Sequence, residues 1–179
     1  KRMAGGLASA GFGAGHTIAI MAPNIPEYCV VFHAVAWGGG TVTTLNPTYT
    51  AHEVAHQLSD SGAELLITIP EFIETAQEGA GDTPVIAIGT AEYAALFGNP
   101  VNAQVPVHLD DFTVVLPYSS GTTGLPKGVM LSHRNLVINV DQSIAAADFQ
   151  PGETTAAFLP FFHIYGMTVL MNLHLAGGG

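Results

Sequence analysis

The sequence predicts an α/β protein in which a mostly parallel β-sheet is covered by helices. Three observations support this fold class. Short apolar runs alternate with stretches that carry apolar residues at helical spacing, and this alternation is typical of sheets whose strands are joined by helices. Hydrophobic residues make up 48% of the 179 residues, enough to bury a large core. No internal repeat and no block of like charges interrupts the pattern, so a disordered chain is not expected.

Seven short apolar runs are predicted to be strands. In chain order they are residues 17–22, 41–45, 64–69, 84–88, 113–116, 129–131 and 155–159. The earlier runs alternate with helical patterns, and therefore the first half of the sheet is expected to be largely parallel.

Five stretches have the apolar spacing of helices. They are residues 26–37, 51–61, 72–78, 134–147 and 165–175, and the first dozen residues look like the end of one more helix. Residues 89–111 show no such period and contain Asn99-Pro100 and Pro106, so they are predicted to form an irregular connector. This connector separates a first α/β portion, residues 1–88, from a second portion, residues 112–179.

One loop concentrates the groups that hold phosphate. Residues 118–128 are Tyr-Ser-Ser-Gly-Thr-Thr-Gly-Leu-Pro-Lys-Gly. The glycines allow backbone N–H groups to point at an anion, and the serines and threonines add donors. Lys127 adds a positive charge, and Arg134 is the only other cation between Met3 and Gly179. Apolar runs flank the loop and Pro126 stiffens it, so a phosphate-binding loop is favoured over a flexible linker.

The loop does not match the Walker A motif, because Gly128 follows the lysine where that motif has Ser or Thr. It resembles instead the Ser-Ser-Gly-Thr-Thr-Gly-x-Pro-Lys-Gly signature of the adenylate-forming superfamily. Two further segments agree with that family in content and order: Asn-Pro-Thr-Tyr-Thr at 46–50 and Leu-Pro-Phe-Phe-His-Ile-Tyr-Gly at 159–166. Both are most similar to the 4-coumarate–CoA ligase and acyl-CoA ligase branch, and the resemblance runs from about Gly11 to the end.

The resemblance implies part of the N-terminal AMP-binding domain of a longer ligase. Such an enzyme activates a carboxylic acid with ATP to an acyl-adenylate and transfers the acyl group to coenzyme A. ATP, Mg²⁺ and coenzyme A are thus the implied cofactors, and the missing remainder of the enzyme is the implied partner. The family also uses a metal-binding glutamate in a Tyr-Gly-x-Thr-Glu segment, a ribose aspartate and a lysine of a mobile C-terminal domain. Here Val169 replaces the glutamate and the lysines are Lys1 and Lys127 alone, so the C-terminal domain is expected to be absent and the isolated chain inactive.

The resemblance also implies roles for individual residues. Those implied to contact the β- and γ-phosphates are Ser119, Ser120, Gly121, Thr122, Thr123, Gly124 and Lys127. His163 is implied to lie near the carboxylate and the α-phosphate, with Tyr165 and Gly166 beside the acyl group. Lys127 and His163 are therefore the predicted catalytic residues. For His163 the alternative is a core histidine bonded to a backbone carbonyl. No metal ligand is expected within the chain.

A second motif points to a different class of enzyme. His52, Glu53 and His56 fit the H-E-x-x-H pattern of zinc hydrolases, with Glu74 or Glu78 as a third ligand. The apolar positions of this helix fall on one stripe, formed by Ala51, Val54, Ala55 and Leu58. That stripe places both histidines on the opposite side, towards water. A solvated helix face is therefore favoured, and zinc hydrolysis is a remote alternative.

Composition limits the partners. Fourteen acidic and four basic residues give a net charge of −10, which argues against a basic face for nucleic acid or an anionic membrane. The longest apolar runs fall short of the ~20 residues that a spanning helix needs, and no secretory leader opens the chain, so a cytoplasmic protein is expected. The identity of the acid stays open. A peptide-synthetase adenylation domain and a noncatalytic nucleotide-binding module therefore remain alternatives.

Overall fold

The computed structural model of the protein describes residues 1–119 and 126–179. Its strands are β1 Thr17–Met21, β2 Thr41–Thr44, β3 Ala63–Thr68, β4 Val85–Ala87, β5 Thr113–Ser119, β6 Lys127–Gly128 and β7 Leu131–Ser132. The order across the sheet is β4-β3-β1-β2-β5, and β6 and β7 both pair with the outer edge of β5. The strands β1 to β5 run parallel, whereas β6 and β7 are antiparallel to β5. The predicted α/β fold with a mostly parallel sheet is confirmed.

Seven α-helices accompany the sheet in the described residues. They are α1 Arg2–Ser9, α2 Pro26–Trp37, α3 Ala51–Ser61, α4 Ile73–Ala80, α5 Ala91–Ala95, α6 His133–Ala147 and α7 Leu173–Gly177. A 3₁₀ turn, Pro70–Phe72, precedes α4, and a π-helical stretch, Gly166–Asn172, precedes α7. Within the described ranges, no helix has both the length and the apolar character needed to cross a membrane.

The sheet separates two hydrophobic clusters. Side chains alternate between the two faces of a strand, and β1 illustrates the result. Ile18 and Ile20 contribute to the cluster that also contains residues of α1 and α2. Ala19 and Met21 contribute to the opposite cluster, with residues of α3 and α4. The fold therefore has three layers, and loops at the strand ends remain free to build a site.

Two predicted strands differ from the structure. No single strand covers 129–131: β6 ends at Gly128 and β7 begins at Leu131, and between them the Val129 N–H donates to the Pro117 carbonyl at 2.9 Å. Residues 155–159 form no strand either. The carbonyls of Ala157 and Leu159 are bonded by a side chain, described below, instead of by a neighbouring strand.

The predicted connector, residues 89–111, is more regular than its composition indicates. It contains α5, whose N-cap is Thr90, and the Thr90 hydroxyl accepts a hydrogen bond from the Tyr93 N–H at 3.2 Å. The connector also contacts α2, because the Trp37 indole N–H donates to the Val101 carbonyl at 3.0 Å. An N-cap residue of this kind is enough to start a short helix between prolines and glycines.

Candidate active site at the carboxyl ends of β2 and β5

A cavity of about 520 Å³ lies where β2 and β5 end. These strands are parallel neighbours, paired from Val42–Val115 to Thr44–Pro117. Ligands of open parallel sheets bind outside the carboxyl ends of the strands. The residues that line this cavity include Thr44, Asn46, Ser119, Pro126, Phe162 and His163. The predicted phosphate loop and the predicted histidine segment thus border the same space.

The two ends of the phosphate loop lie side by side. Ser119 of β5 pairs with Lys127 of β6, and Tyr118 pairs with Gly128, in an antiparallel ladder. Ser119 lines the cavity, and the Lys127 side chain is exposed. No carboxylate in the described part of the chain forms an ion pair with Lys127. Its charge is therefore available for an anion.

The other predicted phosphate contacts are residues between Ser119 and Pro126. Ser120, Gly121, Thr122, Thr123 and Gly124 lie outside the described residues.

Two polar side chains fix the histidine segment to the sheet. The Thr44 hydroxyl, at the end of β2, donates to the Phe162 carbonyl at 2.9 Å. Asn24, which follows β1, makes three hydrogen bonds to the preceding residues. Its amide donates to the carbonyls of Ala157 at 2.7 Å and Leu159 at 2.8 Å, and its oxygen accepts from the Phe161 N–H at 2.7 Å.

Sequence reasoning missed both of these residues. Their signal was present but weak: each is a polar residue at or just beyond the end of an apolar strand, where the chain passes from the sheet to a loop. What the sequence does not reveal is the partner, because Asn24 and Leu159 are separated by 135 positions.

A backbone hydrogen bond indicates which ring nitrogen of His163 is the donor. The Tyr165 N–H donates to its Nδ1 at 3.3 Å, so Nδ1 is an acceptor and the ring proton resides on Nε2. The side chain is exposed and borders the cavity. The arrangement differs from that of a core histidine bonded to a carbonyl, and it leaves Nε2–H as a donor.

The residues after His163 have different environments. The Tyr165 side chain is 52% exposed and is not among those that line the cavity, whereas Ile164 is. Gly166 is buried, and a Cβ at this position would lie 2.1 Å from the Pro160 carbonyl oxygen. A side chain cannot be accommodated there without moving the backbone. Glycine therefore allows the tight return of the chain that follows the histidine.

The zinc-like motif lies on the first turns of α3, where Glu53 has a structural partner. Its carboxylate accepts hydrogen bonds from the Thr50 N–H and hydroxyl, both at 2.8 Å, in a capping box. These bonds hold the pKa of the Glu53 carboxyl below its ordinary value. In residues 1–119 and 126–179, no group of three His, Cys, Asp or Glu side chains is arranged to hold a metal ion.

The predicted orientation of α3 needs a correction. His52 is exposed as expected, but His56 is half-buried and its Nε2–H donates to the Pro126 carbonyl at 3.2 Å. Ala55, assigned to the apolar stripe, is exposed, while Gln57 is 1% exposed. Gln57 replaces Ala55 in the buried face because its amide bonds β2, donating to the Thr43 hydroxyl at 2.9 Å. The spacing of apolar residues does not predict the burial of a polar residue whose hydrogen-bond partners are also buried.

Comparisons with known proteins agree over the whole chain. The sequence profile of a family described as AMP-binding enzyme matches residues 1–179. The chain is 37% identical to 4-coumarate–CoA ligase 5 of Oryza sativa subsp. japonica over 188 aligned residues, which cover 99% of this chain and 35% of the relative. It thus spans about a third of the length of the curated relatives that it matches.

Solved structures of CoA ligases also match nearly the whole chain. A long-chain-fatty-acid–CoA ligase (FadD1) from Archaeoglobus fulgidus superposes with a TM-score of 0.91 at 26% identity, over 99% of this chain and 36% of that one. The o-succinylbenzoate–CoA synthetase (MenE) of Bacillus subtilis, in complex with the acyl-adenylate intermediate OSB-AMP, superposes with a TM-score of 0.78 at 30% identity, over 99% of this chain and 45% of that one.

Proposed function

This chain belongs to the AMP-binding enzyme family, and from that premise we propose that it is the N-terminal part of a longer ATP-dependent acid–thiol ligase. The enzyme activates a carboxylic acid as an acyl-adenylate and passes the acyl group to coenzyme A. One observation carries the proposal: the end of the phosphate loop and the histidine segment border one cavity at the carboxyl edge of the sheet. The ligase names of the relatives support the choice of coenzyme A as acceptor.

The phosphate loop is proposed to hold the β- and γ-phosphates of ATP. The contacts are assigned to Ser119, Ser120, Gly121, Thr122, Thr123, Gly124 and Lys127. When the carboxylate attacks the α-phosphate, negative charge builds on the departing pyrophosphate. Fixed hydroxyl and N–H donors and the Lys127 ammonium interact more strongly with that charge than with the ground state, and so they lower the barrier. The pairing of Ser119 with Lys127 brings one hydroxyl and the ammonium to the same end of the loop.

His163 is proposed to donate from Nε2 to the substrate carboxylate or to an α-phosphate oxygen. The bond from the Tyr165 N–H to Nδ1 supports this role, because it leaves Nε2 as the donor. A change of side-chain rotamer would then admit the thiol for the second half-reaction. Tyr165 and Gly166 are assigned to the acyl side of the site, where Gly166 keeps the backbone close to Pro160.

Mg²⁺ is expected to accompany ATP, but the described residues do not form a metal centre by themselves. No step of the proposed reaction is therefore assigned to a metal ligand of this chain. As an enzyme that uses ATP and coenzyme A, the protein is proposed to act in the cytoplasm, with a small carboxylic acid as substrate and the rest of the ligase completing the cleft.

Product analysis of the full-length enzyme tests the proposal. Aryl, fatty and amino acids are supplied one at a time with ATP, Mg²⁺ and coenzyme A, and AMP and acyl thioesters are separated by chromatography. We expect AMP and an acyl-CoA from at least one aryl or fatty acid. Adenylation of amino acids alone, with no acyl-CoA, would identify a peptide-synthetase-type adenylation domain instead. Formation of ADP and phosphate would contradict an adenylate-forming reaction.

A further inference from the structure

Helix α3 holds both ends of the phosphate loop. On one side, the Tyr118 hydroxyl donates to Asp60 Oδ2 at 2.5 Å. On the other, His56 Nε2–H donates to the Pro126 carbonyl at 3.2 Å. His56 and Asp60 are four residues apart, so they lie one turn apart on the same face of the helix. The strand that enters the loop and the segment that leaves it are thus tied to one surface.

The Tyr118 contact is well defined. The Tyr118 ring packs on Gly128, its partner across the ladder, where a Cβ would lie 3.1 Å from the ring. Burial, together with the hydrogen bond to the Asp60 carboxylate, raises the pKa of the Tyr118 phenol above its ordinary value. A phenol is protonated at neutral pH even at its ordinary pKa of about 10, and so Tyr118 remains a donor to Asp60.

Helix α3 is itself fixed to the sheet. Gln57 is buried, and its amide donates to the Thr43 hydroxyl at 2.9 Å and to the Thr44 carbonyl at 3.0 Å. The Thr43 hydroxyl in turn donates to the Leu116 carbonyl of β5 at 3.1 Å. Thr44 is also the residue that holds the histidine segment. The helix that contacts the loop is therefore connected to the strand ends that position His163.

We propose that His56 and Asp60 are positioning residues of the phosphate loop: by holding Pro126 and Tyr118, they keep Ser119 and Lys127 in the geometry that pyrophosphate departure requires. The inference rests on the proposed function and adds two residues that do not line the cavity of the proposed active site. It also gives the last histidine of the zinc-like motif a role that involves no metal. Preorganised donors are effective only when they are held in place, and a misplacement of about 1 Å can cost on the order of 100-fold in rate.

In the full-length enzyme, one substitution tests each of the two ends of the loop. His56→Ala removes the bond to Pro126, and Tyr118→Phe removes only the hydroxyl that reaches Asp60. His56→Gln keeps an N–H donor of similar reach, and His52→Ala is the matched control, since His52 is an exposed histidine of the same helix. All variants are compared at a temperature where circular dichroism shows each of them folded.

We expect His56→Ala and Tyr118→Phe each to lower kcat of acid-dependent ATP–pyrophosphate exchange about tenfold or more at saturating ATP, with a smaller change in KM for ATP. His56→Gln should recover most of the lost kcat, and His52→Ala should match the wild type. If His56→Ala acted only by destabilising the protein, His56→Gln would not be expected to restore kcat selectively. If His56→Ala and Tyr118→Phe both keep the wild-type kcat, the inference is wrong, although the proposed function still stands.

Amide hydrogen exchange separates this inference from the proposed function. In the enzyme without nucleotide, we expect the amides of residues 127–129 to exchange faster in His56→Ala than in His52→Ala, because the end of the loop opens more often. If the wild type activates no acid, the proposed function fails. The difference in exchange between His56→Ala and His52→Ala still decides whether His56 holds the end of the loop. Equal exchange in the two variants would overturn the positioning claim.

Discussion

The side chain of Lys127 carries an ammonium group at the end of the phosphate loop. In the full-length enzyme, we predict that Lys127→Ala lowers kcat of adenylation about 100-fold at saturating ATP, because the lost interaction strengthens as pyrophosphate leaves. Arg134→Gln is the matched control: Arg134 forms an exposed ion pair with Asp110, and such pairs contribute little. Steady-state kinetics at saturating ATP gives the answer. Unchanged turnover of Lys127→Ala would show that Lys127 takes no part in the adenylation step.

Gly166 is the glycine of the histidine segment, and its backbone lies close to the Pro160 carbonyl. We predict that Gly166→Ala destabilises the protein by about 1–3 kcal/mol, since the new methyl group would lie 2.1 Å from the Pro160 carbonyl oxygen. The control is Gly13→Ala, whose added methyl has its nearest neighbour at 3.6 Å. Urea unfolding of both variants measures the difference. Equal stability of the two would show that the segment adjusts freely.

At the level of the elements, the N-terminus of α3 has a stability that depends on pH. Hydrogen bonds from the Thr50 backbone and hydroxyl lower the pKa of the Glu53 carboxyl in the folded state. A carboxyl group whose pKa is lower in the folded than in the unfolded state stabilises the fold at pH values above its unfolded-state pKa. This contribution disappears as the pH falls through the folded-state pKa. The wild type should therefore exceed Glu53→Ala in stability at pH 7, and the two should converge as the pH falls below the ordinary glutamate pKa of about 4.3 and through the lower folded-state pKa.

Thermal unfolding of wild type and Glu53→Ala across pH 3–7 measures this convergence. Thr50→Ala should cost about 1 kcal/mol at pH 7, as expected for the loss of an N-cap. Ser59→Ala, at an exposed position of the same helix, is the control and should have little effect. A constant difference between wild type and Glu53→Ala at every pH would contradict the role of the ionised carboxylate.

The sequence predicts elements well where local chemistry decides them. The bounds of α2 and α3 agree with prediction, because Pro26 begins one helix and the capping box of Thr50 with Glu53 begins the other. Residues 155–159 were wrongly predicted to be a strand: their apolar run has no strand beside it, and Asn24 bonds two of its carbonyls instead. The π-helical turns of Gly166–Asn172 lie inside the predicted helix, and their widened spacing has no sequence signal comparable to a cap.

The candidate site was predictable only in part, for a similar reason. His163 and the ends of the phosphate loop follow from motifs along the chain, and the structure brings Ser119 and His163 to one cavity. Asn24 and Thr44 were not predicted, since each acts through a backbone partner more than 100 positions away. Hydrogen bonds of this kind depend on which strands are neighbours, and strand order cannot be read from local patterns.

For the molecule as a whole, the cavity opens at the edge of the sheet, and the chain spans about a third of its curated relatives. We predict that the isolated 179-residue chain forms no acyl-adenylate, because donors open to water lack the enclosed, low-dielectric setting that makes them effective. ATP–pyrophosphate exchange on the isolated chain with aryl, fatty and amino acids checks this. Exchange above background that disappears with Lys127→Ala would show that this portion is catalytic by itself.

The most direct test of the central claim is acid-dependent ATP–pyrophosphate exchange by the full-length enzyme in the absence of coenzyme A. Adenylate formation is reversible before any thiol is used, so the assay isolates the half-reaction assigned to the phosphate loop and His163. We expect labelled pyrophosphate to enter ATP only when a suitable carboxylic acid is present, with a rate that falls about 100-fold in Lys127→Ala. Exchange that is absent with every acid, or that proceeds equally well without acid, would contradict the account.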